Sequence, residues 1–356
     1  MKVRIESAPC MILETVELLY AFVNQIPAQE LTTDGDYSIP CWNVQRILNE
    51  CCAGLSAQDS MLQHYFTCAP LLDESGGYTC LARNIAYDAL SFSSKTLEDA
   101  GRFLRQSWKT TKAGGDRPMR ITSYNMDYSK SQEVGYTPLA TYMERLLVPA
   151  DYQRKLLEAF AGFDDAVEEL IGLLSPVARK LEQHLAPWVE RAESLREQWL
   201  DYLSQPENQT KLFMRCQVST ASNCEAINLC LRFLDCSHTS GQLLVEDSSL
   251  NLHVGVGLSI HPEEKQELAA WEYKALRLLG SPARVRMLQA TMDRPMTSRE
   301  ISQELKMHLG AVGRDVSSLF DARLLIVELV GGKSRYRADP AALDTLSRHL
   351  AALKQK

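Results

Sequence analysis

From Gln266 to its last residue the chain is punctuated at short intervals, which leaves room only for short helices and a hairpin. Leu268, Trp271, Ala275 and Leu278 share one face at helical spacing, and Gly280 stops that helix. Ser281-Pro282 starts a second, with Val285, Leu288 and Met292 on one side, and Pro295 closes it. Thr297 and Ser298 open a third, in which Ile301 and Leu305 pack, and Thr297 and Glu300 stand at the spacing of a capping box. His308-Leu309-Gly310 makes a tight connection into a fourth helix whose apolar side is Val312, Val316, Leu319 and Phe320. Residues Leu325 to Leu329 and Ser334 to Ala338 read as strands around Gly331-Gly332, a pair able to take the positive φ of a tight hairpin turn. Two short helices joined by a glycine-containing turn, then a hairpin carrying Lys333, Arg335 and Arg337, predict a winged helix-turn-helix domain over 263–356.

Charge divides the chain in the same place. Residues 271–356 hold fifteen Lys and Arg against nine Asp and Glu, a net of +6, whereas residues 1–270 hold 23 against 36, a net of −13. A basic terminal domain on an acidic body points to phosphate contact, because neutralisation of phosphates by Lys and Arg supplies the sequence-independent part of DNA binding. A basic tail docked on its own acidic body explains the asymmetry equally well.

The body, residues 1–262, reads as α+β: mostly helical, with a small sheet. Val3 and Ile5 alternate with charged neighbours as in a short strand, and Ile12, Val16, Leu19 and Val23 then follow a helical period. Loops fall at Gln29–Pro40, Glu74-Ser-Gly-Gly, Lys112-Ala-Gly-Gly-Asp and Ser123–Pro138. Asp164, Asp165, Glu168 and Glu169 mark a helix N-terminus rather than a metal site, with Asp165 and Glu168 at capping-box spacing. Ser175-Pro176 reads as a helix start, Pro187 as a break, and Ser204-Gln-Pro206 as the end of the following helix. After Asn208 the period becomes two, with Ile227 to Phe233 and Leu250 to Leu258 as strands, so three or four strands are expected.

The run Leu279-Gly-Ser-Pro-Ala-Arg-Val-Arg-Met-Leu288, then Ser298 to Leu305, Ala311 to Ala322, Leu324-Leu325 and Tyr336-Arg337, resembles the winged helix of ArsR-type bacterial transcription regulators. The resemblance covers the last quarter of the chain. In that family the recognition helix reads Thr-Val-Ser-Arg-His-Leu before an Ala-Gly-Leu-Val close. Arg314 matches the family arginine, while Gly313, Asp315 and Arg323 stand where the family has Ser, His and Gly. The family's Cys-x-Cys metal motif is missing from its usual helix.

On this reading Gly310, Ala311, Gly313, Arg314 and Ser317 form a small-residue face with one long cation that approaches the floor of the major groove. Arg314 suits guanine, and Asp315 must point aside or accept from a cytosine amino group. Thr297, Ser298, Lys333, Arg335 and Arg337 complete the expected contacts with double-stranded DNA. The alternative is that the small face packs inside the protein and the domain binds another protein. Leu343, Leu346, Leu350 and Leu353 on the final helix are expected to pair with the helix at Trp271 across a twofold axis, as the resemblance also implies, giving a homodimer on a palindromic operator.

The body carries no phosphate loop, nucleophile elbow or His-Glu-x-x-His, and Gly255-Val-Gly257 lacks the third glycine of a dinucleotide site. No enzyme activity and no cofactor are expected. Cys224, Cys230 and Cys236 with His238 could suggest a metal or thiol sensor. In a strand, however, six residues span about 20 Å, too far for one ion. Adjacent Cys51 and Cys52 point about 100° apart on a helix. The ten cysteines are expected to be reduced and mostly buried, in a cytoplasmic protein with neither membrane helix nor secretion signal, because Glu14 and Glu17 interrupt the most apolar segment. The body is then a sensor or dimerisation domain for an unknown effector.

Overall fold

The computed structural model describes all residues except 73–76, 88, 90–95, 113–138, 140–142, 144–145, 216–223, 245–248, 261–267, 269, 331–332 and 353–356. The loop expected at Lys112-Ala-Gly-Gly-Asp, apart from Lys112, which ends a helix, the loop expected at Ser123–Pro138 and the glycine turn at 331–332 lie outside the described residues. The elements in chain order are β1 (Lys2–Ile5), α1 (Met11–Val23), a 3-10 turn (Ala28–Leu31), α2 (Cys41–Cys51), α3 (Ser60–Phe66), β2 (Ala69–Pro70), β3 (Tyr78–Thr79), α4 (Leu81–Ile85) and α5 (Leu97–Lys112). They continue with α6 (Ala150–Ala161), α7 (Phe163–Arg191), α8 (Glu193–Ser204), α9 (Pro206–Arg215), β4 (Ala226–Arg232), β5 (Thr239–Leu244) and β6 (Ser249–Gly255). The last are α10 (Ala270–Leu279), α11 (Pro282–Ala290), α12 (Ser298–Leu305), α13 (Leu309–Asp321), β7 (Leu325–Val330), β8 (Lys333–Ala338) and α14 (Pro340–Ala352). The chain is mixed α and β, mainly helical with small sheets.

The fold divides into two compact units. One takes the described residues of 1–202 and 225–258; the other takes 259–352 together with 203–215 and 224, which a single cut after residue 262 leaves in the body.

In the first unit a four-stranded sheet has the order β1-β4-β6-β5, with β1, β4 and β6 parallel and β5 antiparallel to β6. Every residue of β6 is buried, as expected of a strand covered on both faces. Helix α1 is apolar nearly all round and is buried along its length, against α3, α4, α5 and α7.

Several sequence expectations fail here. Pro176 and Pro187 neither start nor break a helix: α7 runs unbroken through both. Each proline is exposed, as are Gly172 and Gln183, whose carbonyls lose their usual partners, so water can bond what the prolines release. The buried stripe of Val167, Leu170, Leu174, Val177, Leu181 and Leu185 runs along the other side. The acidic residues 164 and 165 do lie in the first turn of α7, yet the cap is Gly162 and no side chain caps it. The switch to period two comes later than Asn208, because α9 continues helically to Arg215.

Gly255 and Gly257 have a packing role. A Cβ on Gly255 would sit 2.1 Å from the Cys236 carbonyl oxygen, so only glycine lets the end of β6 lie against the 233–238 turn. In that turn His238 Nδ1 lies 2.7 Å from Asp235 Oδ1. Burial pushes the Asp235 carboxyl up, but the hydrogen bond from His238 and the charges of Arg232 and His238 outweigh it and hold it at about 2. The same bond to Asp235, against desolvation, raises the His238 imidazole. Stability from the carboxylate is present above about pH 4 and is lost as pH falls towards the depressed value; stability from the imidazolium is full below about pH 6.5 and is lost as pH rises through the raised value. Asp235→Asn should therefore cost most stability between about pH 4 and 6.5, and should lower the His238 titration midpoint measured by NMR. An unchanged midpoint would show that the pair does not couple.

The nine described cysteines form no disulfide. Burial pushes the Cys51 thiol up to about 11 and that of Cys52, also beside Cys51, up to about 12. Neither is a ready thiolate at neutral pH. Among the described residues no group of three or more His, Cys, Asp or Glu side chains could hold a metal ion, and no helix is long and apolar enough to cross a membrane.

Candidate nucleic-acid interface

The second unit is built on one core, with Ala275, Met287, Ile301, Val312, Leu319 and Leu325 among its fully buried members. Its local punctuation matches the sequence reading closely. Thr297 caps α12 through its hydroxyl, which accepts from the Glu300 N–H at 3.2 Å, while the Glu300 carboxylate accepts from the Thr297 N–H at 2.7 Å. The capping box is complete, and the backbone hydrogen bond from Thr297 holds the Glu300 carboxyl below its ordinary range. The His308 ring caps α13 by accepting from the Gly310 N–H at 3.2 Å. The turn between α12 and α13 takes its left-handed conformation at Lys306, φ 53°, rather than at Gly310, which lies inside α13.

Strands β7 and β8 pair antiparallel from Leu325↔Ala338 to Val330↔Lys333, leaving two residues between them. Met296 adds a single antiparallel bridge to Tyr336, which ties the segment before α12 to the hairpin. Arg335 runs the same way: its guanidinium lies 3.1 Å from Glu300 and donates to the Pro295 carbonyl at 3.2 Å.

Placement of the expected contact residues is mixed. Gly310, Gly313 and Ser317 are buried within the unit, so the small-residue face expected to meet DNA packs inward. Small side chains there allow close helix approach, and α13 contacts α10, α11 and α12. Arg314 lies on the other side, exposed, with half-buried Ala311 one turn before it. Thr297 is committed to its cap, Ser298 is half-buried in the first turn of α12, and Arg335 is committed to Glu300. Arg337 lies 3.5 Å from Glu328 across the hairpin, and the Lys333 side chain falls outside the described residues. Asp315 points aside, as one of the two sequence options has it, accepting from Arg284 Nε at 2.8 Å. Arg286, Arg299 and Lys306 stand in no motif that marks them as contacts; with Arg314 they are exposed and enter no ion pair among the described residues.

The leucine stripe of α14 turns mainly into its own unit. Leu346 is 3% exposed, and Leu343, Leu350 and Trp271 pack partly buried against the same core; Leu353 lies outside the described residues. Helices α10 and α14 meet within one chain, where His349 Nδ1 lies 2.8 Å from the buried Glu272 carboxylate. The Trp271 ring has the Arg323 guanidinium over it at 5.8 Å. These side chains are used within one chain, which a twofold contact was expected to do.

The chain matches no known protein-family model, no characterised protein and no solved structure.

Proposed function

We propose that the chain is a DNA-binding transcription regulator of ArsR-like type, acting in the bacterial cytoplasm through a winged helix-turn-helix over residues 263–356. The observation that carries this is Arg314: exposed and unpaired among the described residues, on the second helix of a capped helix-turn-helix, in a segment of net charge +6. The order of helix, helix, bridge at Met296, helix, helix and hairpin supports a winged-helix reading. A further support is Arg323, φ 58°, which holds a left-handed conformation where the resemblance sets a glycine. The first unit serves as a sensor for an effector, and whatever changes operator affinity must then bind differently when DNA is present.

Selection of bound fragments from genomic DNA tests this. Tight, salt-sensitive binding to a defined sequence is expected, with affinity falling as Lys and Arg contacts are screened. Equal affinity for all duplexes at physiological salt, or none, overturns it. A palindrome with half-sites about 34–36 Å apart belongs to a dimer, so light scattering at micromolar protein decides that part. A second reading, a winged-helix adaptor for another protein, is favoured by Arg335 and Arg337, whose charges are spent on Glu300 and Glu328. It predicts that no genomic fragment is shifted.

A further inference from the structure

Helix α13 is an unlikely-looking partner for a polyanion by composition: its charged residues are Arg314, Asp315 and Asp321, a net of −1. Each carboxylate is met by a cation from a neighbouring helix. Asp315 accepts from Arg284 of α11 at 2.8 Å, with both side chains only 20% exposed. Asp321 lies 3.6 Å from Lys274 of α10, where both side chains are more than a third exposed. Solvent screens the second pair far more than the first. Among the described residues Arg314 is thus the charge that α13 leaves unmatched.

We infer that Arg284 is a positioning residue for nucleic-acid recognition: it neutralises Asp315 and holds its carboxylate off the face that bears Arg314, so that α13 meets duplex DNA as a cation. This rests on the DNA-binding reading and adds to it a residue on the helix before the helix-turn-helix. Without Arg284, Asp315 would stand next to Arg314 as an unpaired anion. It would compete for that guanidinium and repel phosphate.

The test uses the full chain and the duplex recovered by genomic selection, with thermal melting followed by circular dichroism as a check on folding. Arg284→Ala should weaken binding about tenfold or more, since a like charge now faces the backbone. Arg284→Ala combined with Asp315→Asn should return to within about threefold of the parent, because the anion that needed a partner is gone. Asp315→Asn alone should bind at least as tightly as the parent. Binding by Arg284→Ala equal to the parent overturns the inference. So does a double variant that stays weak with a salt slope lower by about one, which would make Arg284 itself a phosphate contact. A tenfold loss in Asp315→Asn alone would make Asp315 a base-reading residue and overturn it too. If the parent chain binds no duplex, the DNA-binding reading has failed first, and the inference falls with it.

Discussion

Glu14→Ala should lower the free energy of unfolding by about 3–5 kcal/mol, measured by urea denaturation. The carboxylate is 0% exposed and its partner Arg232 is 3% exposed. Arg232 Nε donates to Glu14 at 2.8 Å, and the N–H groups of Phe233 and Leu234 donate to the same carboxylate at 3.2 and 2.9 Å. Desolvation pushes the Glu14 carboxyl above its ordinary range, against the pull of Arg232 and those two N–H groups. The site thus holds an anion only because its donors converge there. Truncation leaves a buried guanidinium and two backbone donors facing a void. Asp235, 3.8 Å from Arg232, compensates little of that. Replacing both partners by apolar residues of similar volume, Glu14→Leu with Arg232→Met, should recover most of the loss, since neither desolvated charge then remains. A single variant that loses less than about 1 kcal/mol would show that the pair is not what holds α1 to the end of β4.

What was legible in the sequence was what is local. Ser281-Pro282, Thr297 with Glu300, and His308 before Gly310 act over one to three residues, and each lies at the helix start its spacing predicts. The alternating runs around Leu229 and Leu252 form parallel strands for the same reason: period two needs no distant partner to be seen. Long-range pairing was hidden. Glu14 and Glu17 read only as charges that spoil an apolar run, whereas their partners are Arg232 and Arg83, more than two hundred and some sixty residues away. The prolines of α7 misled because the cost of a proline depends on which side of the helix it faces, and their side is solvent. In α13 both sides carry small residues, Gly310, Gly313 and Ser317 inward and Ala311 near Arg314, so residue size alone could not choose the face. Arg284 and Asp315 are 31 apart, beyond any local rule.

Arg314→Ala should relax base preference at one position of the selected operator by about 1–3 kcal/mol, and leave binding to non-operator duplex much less changed. An arginine that makes two hydrogen bonds to guanine loses both on truncation, and nothing nearby replaces them. Ala311 is apolar, Asp315 is engaged by Arg284, and Ser317 is buried. A cation that only neutralises phosphate behaves differently. Lys333→Ala should weaken operator and non-operator duplex alike and lower the salt slope by about one. Arg335→Ala separates the hairpin's structural from its electrostatic role, because its guanidinium braces Glu300 and Pro295. It should lower the melting temperature modestly while the salt slope stays as in the parent. Fluorescence anisotropy across a salt series, with operator and scrambled duplexes, reads all three variants. If Arg314→Ala lost operator and scrambled duplex equally, Arg314 would be one more phosphate contact, and base readout would have to come from a part of the hairpin or of α12 other than the side chains already committed there.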